Sequence, residues 1–264
     1  MEEERVRLGG MALGNGVLVH GPRSWACAVR LPDGELRVAS AYKRFRGTEV
    51  EQPLLRGPAR LLEAFSILPA LKRKLPEARF PFERPRVAAT MLASAAAVRV
   101  VRESTRLGTV ARELVSGALA LAPAIVALRG SELAAYHGAE HVAIGSYEHG
   151  EERAKEHERC GSHLLGPLLA TTALGNLLAA RAPAHLRNLA RAAASLGAVA
   201  VSTEIFGWMI RHPDEALSRA LAKPGHELQH RLATATPSPE QLDVAEAALH
   251  ECLRLEGSPS RGQG

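Results

Sequence analysis

The chain has 264 residues, enough for one large domain or two modest ones, and a 46% hydrophobic content that can supply a core. Aromatic residues make up only 4%, and the net charge of +5 rests largely on arginine. With no aromatic interleaving and no known nucleic-acid module, this basicity predicts no nucleic-acid partner, although it is compatible with anionic lipid.

The opening is acidic and is followed by glycines rather than an apolar run, which predicts no cleavable signal peptide. Gly9, Gly10, Gly14 and Gly16 come next, and no helix start follows them as a phosphate site needs, so tight β turns are the expected use. Residues 17–45 read as strands: 17–19 and 25–29 have β character, Pro32, Asp33 and Gly34 mark a turn, and 35–39 is a return strand. The expected organisation is a small N-terminal β-hairpin unit over 1–50, a helical domain over 51–256 with several apolar segments, and a disordered tail over 257–264.

After Pro53 the period changes to 3.6. Leu54, Leu55, Leu61, Leu62, Phe65, Leu68 and Leu71 predict one amphipathic helix ending in Lys72, Arg73 and Lys74, where the helix dipole favours cations. Residues 75–85 hold three prolines and read as a linker or surface loop. Helices are expected from 86 to about 208. In the last one, Ser238 caps, Pro239 takes the first helical position, Gln241 completes a capping box, and Leu242, Ala245, Leu249 and Cys252 form one buried stripe.

Four uncharged runs bear on location: 87–98, 114–128, 164–180 and 192–203. Extended back to residue 160, the third alone reaches the roughly 20 residues that a bilayer crossing needs. The alanine-rich others, bounded by arginine or glutamate, suit either a compact membrane bundle or a soluble helical core. The fold class is therefore mainly α, a helical bundle with a small β unit, and hydropathy alone leaves membrane and water open.

The densest chemistry lies in mid-chain. His137, Glu140 and His141 have H-x-x-E-H spacing, and on a helix both imidazoles share a face with the carboxylate beside them. Two neutral imidazoles suit zinc or a similar divalent metal, and Glu140 as catalytic base can take a proton from water. A third ligand must come from elsewhere. Glu204, ending an apolar helix, is the attractive candidate, and Glu148, His157 and Cys160 compete for the role. His149, His163, His226 and His230 read as surface or structural histidines. A nucleophilic Cys160 lacks an oxyanion turn, so a metal ligand or a packed residue fits it better. Gly138 weakens the helix between the ligands by about 1 kcal/mol. Three cysteines, Cys27, Cys160 and Cys252, widely spaced and odd in number, argue against a disulfide framework.

The block Tyr136-His-Gly-Ala-Glu-His141, with Tyr147-Glu148 and Arg159-Cys-Gly161, resembles the YqhQ-like family of bacterial membrane proteins that share domain of unknown function 1385. Gly9-Gly10, Gly16-Val17, Gly21 to Ala26, Leu54-Leu-Arg-Gly57, Leu232 to Pro237 and Gln241 to Leu249 are similar to other blocks of that family, in the right order over about 9–253. The resemblance implies a multi-pass protein of the cell membrane with a soluble part, a metal-dependent enzyme of unestablished reaction, and metal-candidate positions at His137, Glu140, His141, Glu148, His157, Cys160 and Glu204. Met11 and Asn15 depart from the family pattern, and the apolar segments are shorter. The leading expectation is a membrane-associated metal-binding protein in which His137 and His141 bind zinc or a similar divalent ion, with Glu140 as the general base of a hydrolysis if it is an enzyme. A non-catalytic membrane adaptor held by a polar network, and a soluble helical binding protein, stand as the alternatives.

Overall fold

The computed structural model describes residues 5–47, 49–104 and 106–257. Four strands, β1 (Gly9–Leu13), β2 (Gly16–His20), β3 (Ser24–Arg30) and β4 (Leu36–Tyr42), form one antiparallel meander in the order β1-β2-β3-β4. The unit therefore holds one strand more than the sequence reading expected. Gly9 and Gly10 lie inside β1 rather than in a turn, whereas Gly14 and Asn15 do form the tight connection between Leu13 and its partner Gly16. The 31–34 turn forms as read, with the Gly34 N–H donating to the Leu31 carbonyl at 3.0 Å and Gly34 at φ +88°.

Both faces of the sheet are covered, which explains why β2 and β3 read as nearly continuous apolar runs. Val17, Val19, Ala26 and Ala28 alternate onto one face and pack on α5 (Glu132–His149) and α9 (Pro239–Gly257). Leu13, Leu18, Trp25, Cys27 and Val29 alternate onto the other, against Ile67, Leu71, Leu75, Ala78 and Phe80. The proline-rich 75–85 segment is thus part of the core and not a surface linker, because three of its side chains are buried under the sheet.

The amphipathic stretch after Pro53 is two helices, α1 (Arg56–Phe65) and α2 (Leu68–Lys74), rather than one. Pro69 is the cause: it has no N–H for the Phe65 carbonyl, and its ring would clash there, so α1 stops at Phe65 and α2 restarts with proline in its first turn. The remaining helices are α3 (Pro85–Glu103), α4 (Thr109–Leu128), α6 (Leu165–Ala179), α7 (Arg187–Arg211) and α8 (Ala216–Leu228), the last continued by a π turn over Gln229–Ala233. At α9 the Ser238 N–H donates to Gln241 Oε1 at 2.9 Å and the Gln241 N–H to Ser238 Oγ at 3.4 Å, the capping box expected from the sequence. Ala245, Leu249 and Cys252 are buried along its stripe. Of the tail expected to be disordered over 257–264, Gly257 is the last residue of α9, and residues 258–264 lie outside the described residues.

α3 packs on α4, and α6 on α7. Among the described residues two helices are long and apolar enough to cross a membrane, over Ala111–Leu128 and Ala184–Arg211, and little of either is buried. The expected unaided span at 160–180 is not among them. Residues Gly161–Leu164 form a separate 3-10 turn, leaving α6 with 15 residues, about 22 Å at 1.5 Å per residue and short of a bilayer core of about 30 Å.

Candidate metal centre

α5 carries the centre, and its local sequence explains why it holds together. Glu132 lies in its first turn, and Gly150 ends it at φ +75°, donating its N–H to the Ser146 carbonyl at 2.8 Å. Gly138 does not interrupt the helix. A side chain there would collide with the Ala235 carbonyl, and that close approach lets the segment after the π turn cross α5, where the Ala235 N–H donates to the Ala134 carbonyl at 2.8 Å.

One turn of α5 aims His137 and His141 the same way, with ring centroids 4.3 Å apart. His137 Nδ1 lies 2.9 Å from the Ala233 carbonyl, and His141 Nδ1 lies 2.6 Å from the Lys155 carbonyl. A carbonyl only accepts, so each Nδ1 carries the proton and each Nε2 is left with its lone pair. His137 Nε2 is 3.5 Å from Cys160 Sγ, and ligand atoms of His137, His141 and Cys160 all lie within 4.8 Å of one another. Ligands of one tetrahedral zinc stand roughly 3.3–3.6 Å apart, so modest contraction closes this set on an ion. The donor chemistry fits the metal: two imidazoles, each oriented by a backbone carbonyl, and a thiol.

Burial dominates the electrostatics. It pulls the His141 imidazole down to about 3, helped by the neighbouring His137, so the ring stays neutral near pH 7. Burial likewise raises the Cys160 thiol above its ordinary value. Glu140 is enclosed too, and burial pushes its carboxyl up to about 7, with His137 lowering it and Cys160 raising it. No described residue hydrogen-bonds that carboxylate. It lies against Gly10 of β1, where any Cβ would strike it.

The other expected ligands are placed differently. His157 has its ring 5.5 Å from that of His141, but its Nε2 is 3.3 Å from Glu148 Oε2, and its Nδ1 accepts the Arg159 N–H at 3.2 Å. Glu148 also pairs with the Arg159 side chain. Burial would raise the Glu148 carboxyl, yet the His157 hydrogen bond and the Arg159 charge outweigh it and hold the carboxyl below its usual range. These three form a polar network beside the centre. Glu204, expected as third ligand, is not brought to it: its carboxylate binds the Arg56 guanidinium, with Nε donating at 2.9 Å, and accepts the Leu54 N–H at 3.1 Å. Cys160 takes the place nearest the imidazoles instead. Of the remaining histidines, His163 is buried beside Gln229, His149 bonds its own helix at the Gly145 carbonyl, and His230 pairs with Glu156.

Beside the three donors is a cavity of about 460 Å³, lined by Gly9, Gly10, Met11 and His20 from the sheet and by His137, Glu140, His141, His157 and Cys160. That size lies within the range of small-ligand sites. The sequence reading did not find the contribution of β1; its signal was the Gly9-Gly10 pair, taken for turn residues. The orienting carbonyls of Lys155 and Ala233 have no side-chain signature at all.

No solved structure matches the chain. Over 136 residues, 48% of the chain, it is 31% identical to the uncharacterized protein YqhQ of Bacillus subtilis (strain 168), and it spans less than half of that relative, 42% of its length. Residues 125–255, the part that holds α5, His157, Cys160 and Glu204, match the family described as "Protein of unknown function (DUF1385)", which supports the resemblance to the YqhQ-like family.

Proposed function

We propose that this chain is a membrane-associated metal-binding protein in which His137, His141 and Cys160 hold a divalent cation, with Glu140 as the base of a hydrolytic reaction. One observation carries the reading: both imidazoles are tied at Nδ1 to backbone carbonyls, His137 Nε2 lies 3.5 Å from the Cys160 thiol, and ligand atoms of all three residues lie within 4.8 Å of one another. Two nitrogens and one sulfur favour zinc over hard cations that prefer oxygen. Three convergent protein donors beside a cavity suit a catalytic centre better than a closed structural one, which uses four.

A cation held there supplies charge that acidifies water and polarises a carbonyl. Glu140, with no hydrogen-bond partner among the described residues and an elevated pKa, receives the proton from water and returns it to a leaving group. The exposed apolar helices support attachment to the cell membrane. Metal analysis of the purified full chain after zinc loading and desalting tests the reading. One zinc per chain is expected, falling below a tenth of that in His137→Ala with His141→Ala; an unchanged or absent metal content overturns it.

A further inference from the structure

The cavity of the centre is lined in part by β1, the outer strand of the sheet. β1 is an edge strand, paired only with β2, so half of its backbone groups point away from the ladder. The register says which half. The Arg30 N–H donates to the Asn15 carbonyl at 2.9 Å and the Gly21 N–H to the Ser24 carbonyl at 3.0 Å, which makes Val17 and Val19 the β2 residues bonded to β3. Gly16, Leu18 and His20 therefore bond to β1, at Leu13, Met11 and Gly9. The N–H and C=O of Gly10 and Ala12 are left facing outward, and among the described residues no group bonds them. Both residues line the cavity of the metal centre.

We infer that the substrate is a polypeptide, bound as an extended strand on the free edge of β1 so that one of its peptide groups lies at the His137, His141 and Cys160 centre. Two donors and two acceptors, spaced two residues or about 6.7 Å apart along a strand, are the hydrogen-bonding complement of another strand. Gly10 is exposed and carries no side chain to obstruct an approaching chain. Leu8, Met11, Leu128, Leu133 and Ile144 give the same cavity apolar walls for alternate side chains. The step is a simple hydrolysis. The oxygen of water adds to the peptide carbonyl carbon, the C–N bond breaks, and Glu140 carries the proton from water to the departing nitrogen, leaving a carboxylate and an amine.

The inference rests on the metal reading above, and its test separates the two. The probe is the peptide pool of a tryptic casein digest, incubated with the zinc-loaded full chain in detergent micelles, the products being identified by mass spectrometry. Cleavage that zinc removal abolishes is expected. Ala12→Pro deletes an N–H that points off the ladder, a position where an edge strand accepts proline. It is expected to raise KM for the best-cleaved peptide at least tenfold, with kcat and zinc content within twofold of the parent. Where Ala12→Pro does not fold, N-methylation of successive amides in that peptide serves with the unaltered protein: binding lost at every second position supports the strand. Bound zinc without cleavage, or cleavage indifferent to Ala12→Pro and to methylation, overturns the polypeptide assignment and leaves the metal reading intact. Self-association lost in Ala12→Pro, with cleavage unaltered, assigns the edge to a second copy and also overturns it. No bound zinc removes both.

Discussion

Gly10 is where the sheet meets the carboxylate. Adding a methyl group there drives the Glu140 side chain out of its place, yet the atom struck is the free end of a flexible side chain. Gly10→Ala should therefore cost little stability, under about 1 kcal/mol, while displacing the proposed base. Zinc content and melting temperature are expected to stay near those of the parent, with turnover at least tenfold lower; loss of zinc along with turnover would show that the substitution deforms the ligands themselves. His20 gives a second test at the same scale. Its ring is stacked on Phe45 at 4.9 Å, and burial holds its pKa below 6.5, although nearby Glu63 and Glu256 pull it up. Folding thus favours the neutral ring, and the stability tied to that neutrality is complete above about 6.5 and lost as pH falls toward the lowered folded value. His20→Phe keeps a stacked ring and removes the titration. Its unfolding free energy should fall less steeply than that of the parent between pH 7 and pH 5, as urea denaturation can read. The pair His137 and His141 was legible in the sequence because a spacing of four fixes their common face. Cys160 was legible only as one competitor among several, since its approach depends on the irregular path of 150–160, for which no periodicity exists.

Between elements, Glu204 acts as a clasp. It joins α7 to the segment entering α1 through Arg56 and the N–H of Leu54, and Leu54 sits at φ +68°, a left-handed conformation that costs a branched aliphatic residue about 1–2 kcal/mol. Gly57 completes the contact, because a side chain there would collide with Thr203 of α7. The Leu54-Leu-Arg-Gly57 block thus has a packing reason. Glu204→Ala is expected to leave zinc at the parent's stoichiometry, and to lower stability by up to about 1 kcal/mol, since the pair is partly exposed. A variant that loses its zinc would restore Glu204 to the ligand set. Helix periodicity revealed most of the elements, and the capping residues of α9 fixed its start. Periodicity could not tell one amphipathic helix from two, though Pro69 held that information, nor show that 75–80 turns inward. The carboxylate at the end of an apolar helix was correctly read as needing a partner. That the partner would be Arg56, nearly 150 positions earlier, is a tertiary fact that no local pattern encodes.

For the molecule as a whole, the two long apolar helices decide between water and bilayer. Leu196 is 75% exposed near the middle of Ala184–Arg211, and Leu114 is 70% exposed in Ala111–Leu128. Scattered exposed leucines are ordinary on a soluble protein, and these lie on helices long and apolar enough to cross a bilayer. A lysine at Leu196 separates the cases by sign. On a helix facing water it removes apolar exposure, changing stability by no more than about 0.5 kcal/mol and improving solubility. At the centre of a bilayer-crossing helix it costs about 2.5–3.5 kcal/mol of insertion. Leu196→Lys should therefore reduce the chain recovered in membranes after alkaline carbonate washing by tenfold or more, whereas lysine at Leu217, exposed outside both spans, should leave recovery unchanged. Equal recovery of the two variants, or release of the parent by the wash, would assign these faces to a partner in water. The centre would then work in water, its donors held by α5 and by the segments that carry Lys155, Cys160 and Ala233, with Leu128 at the end of the first apolar helix as one wall of the cavity.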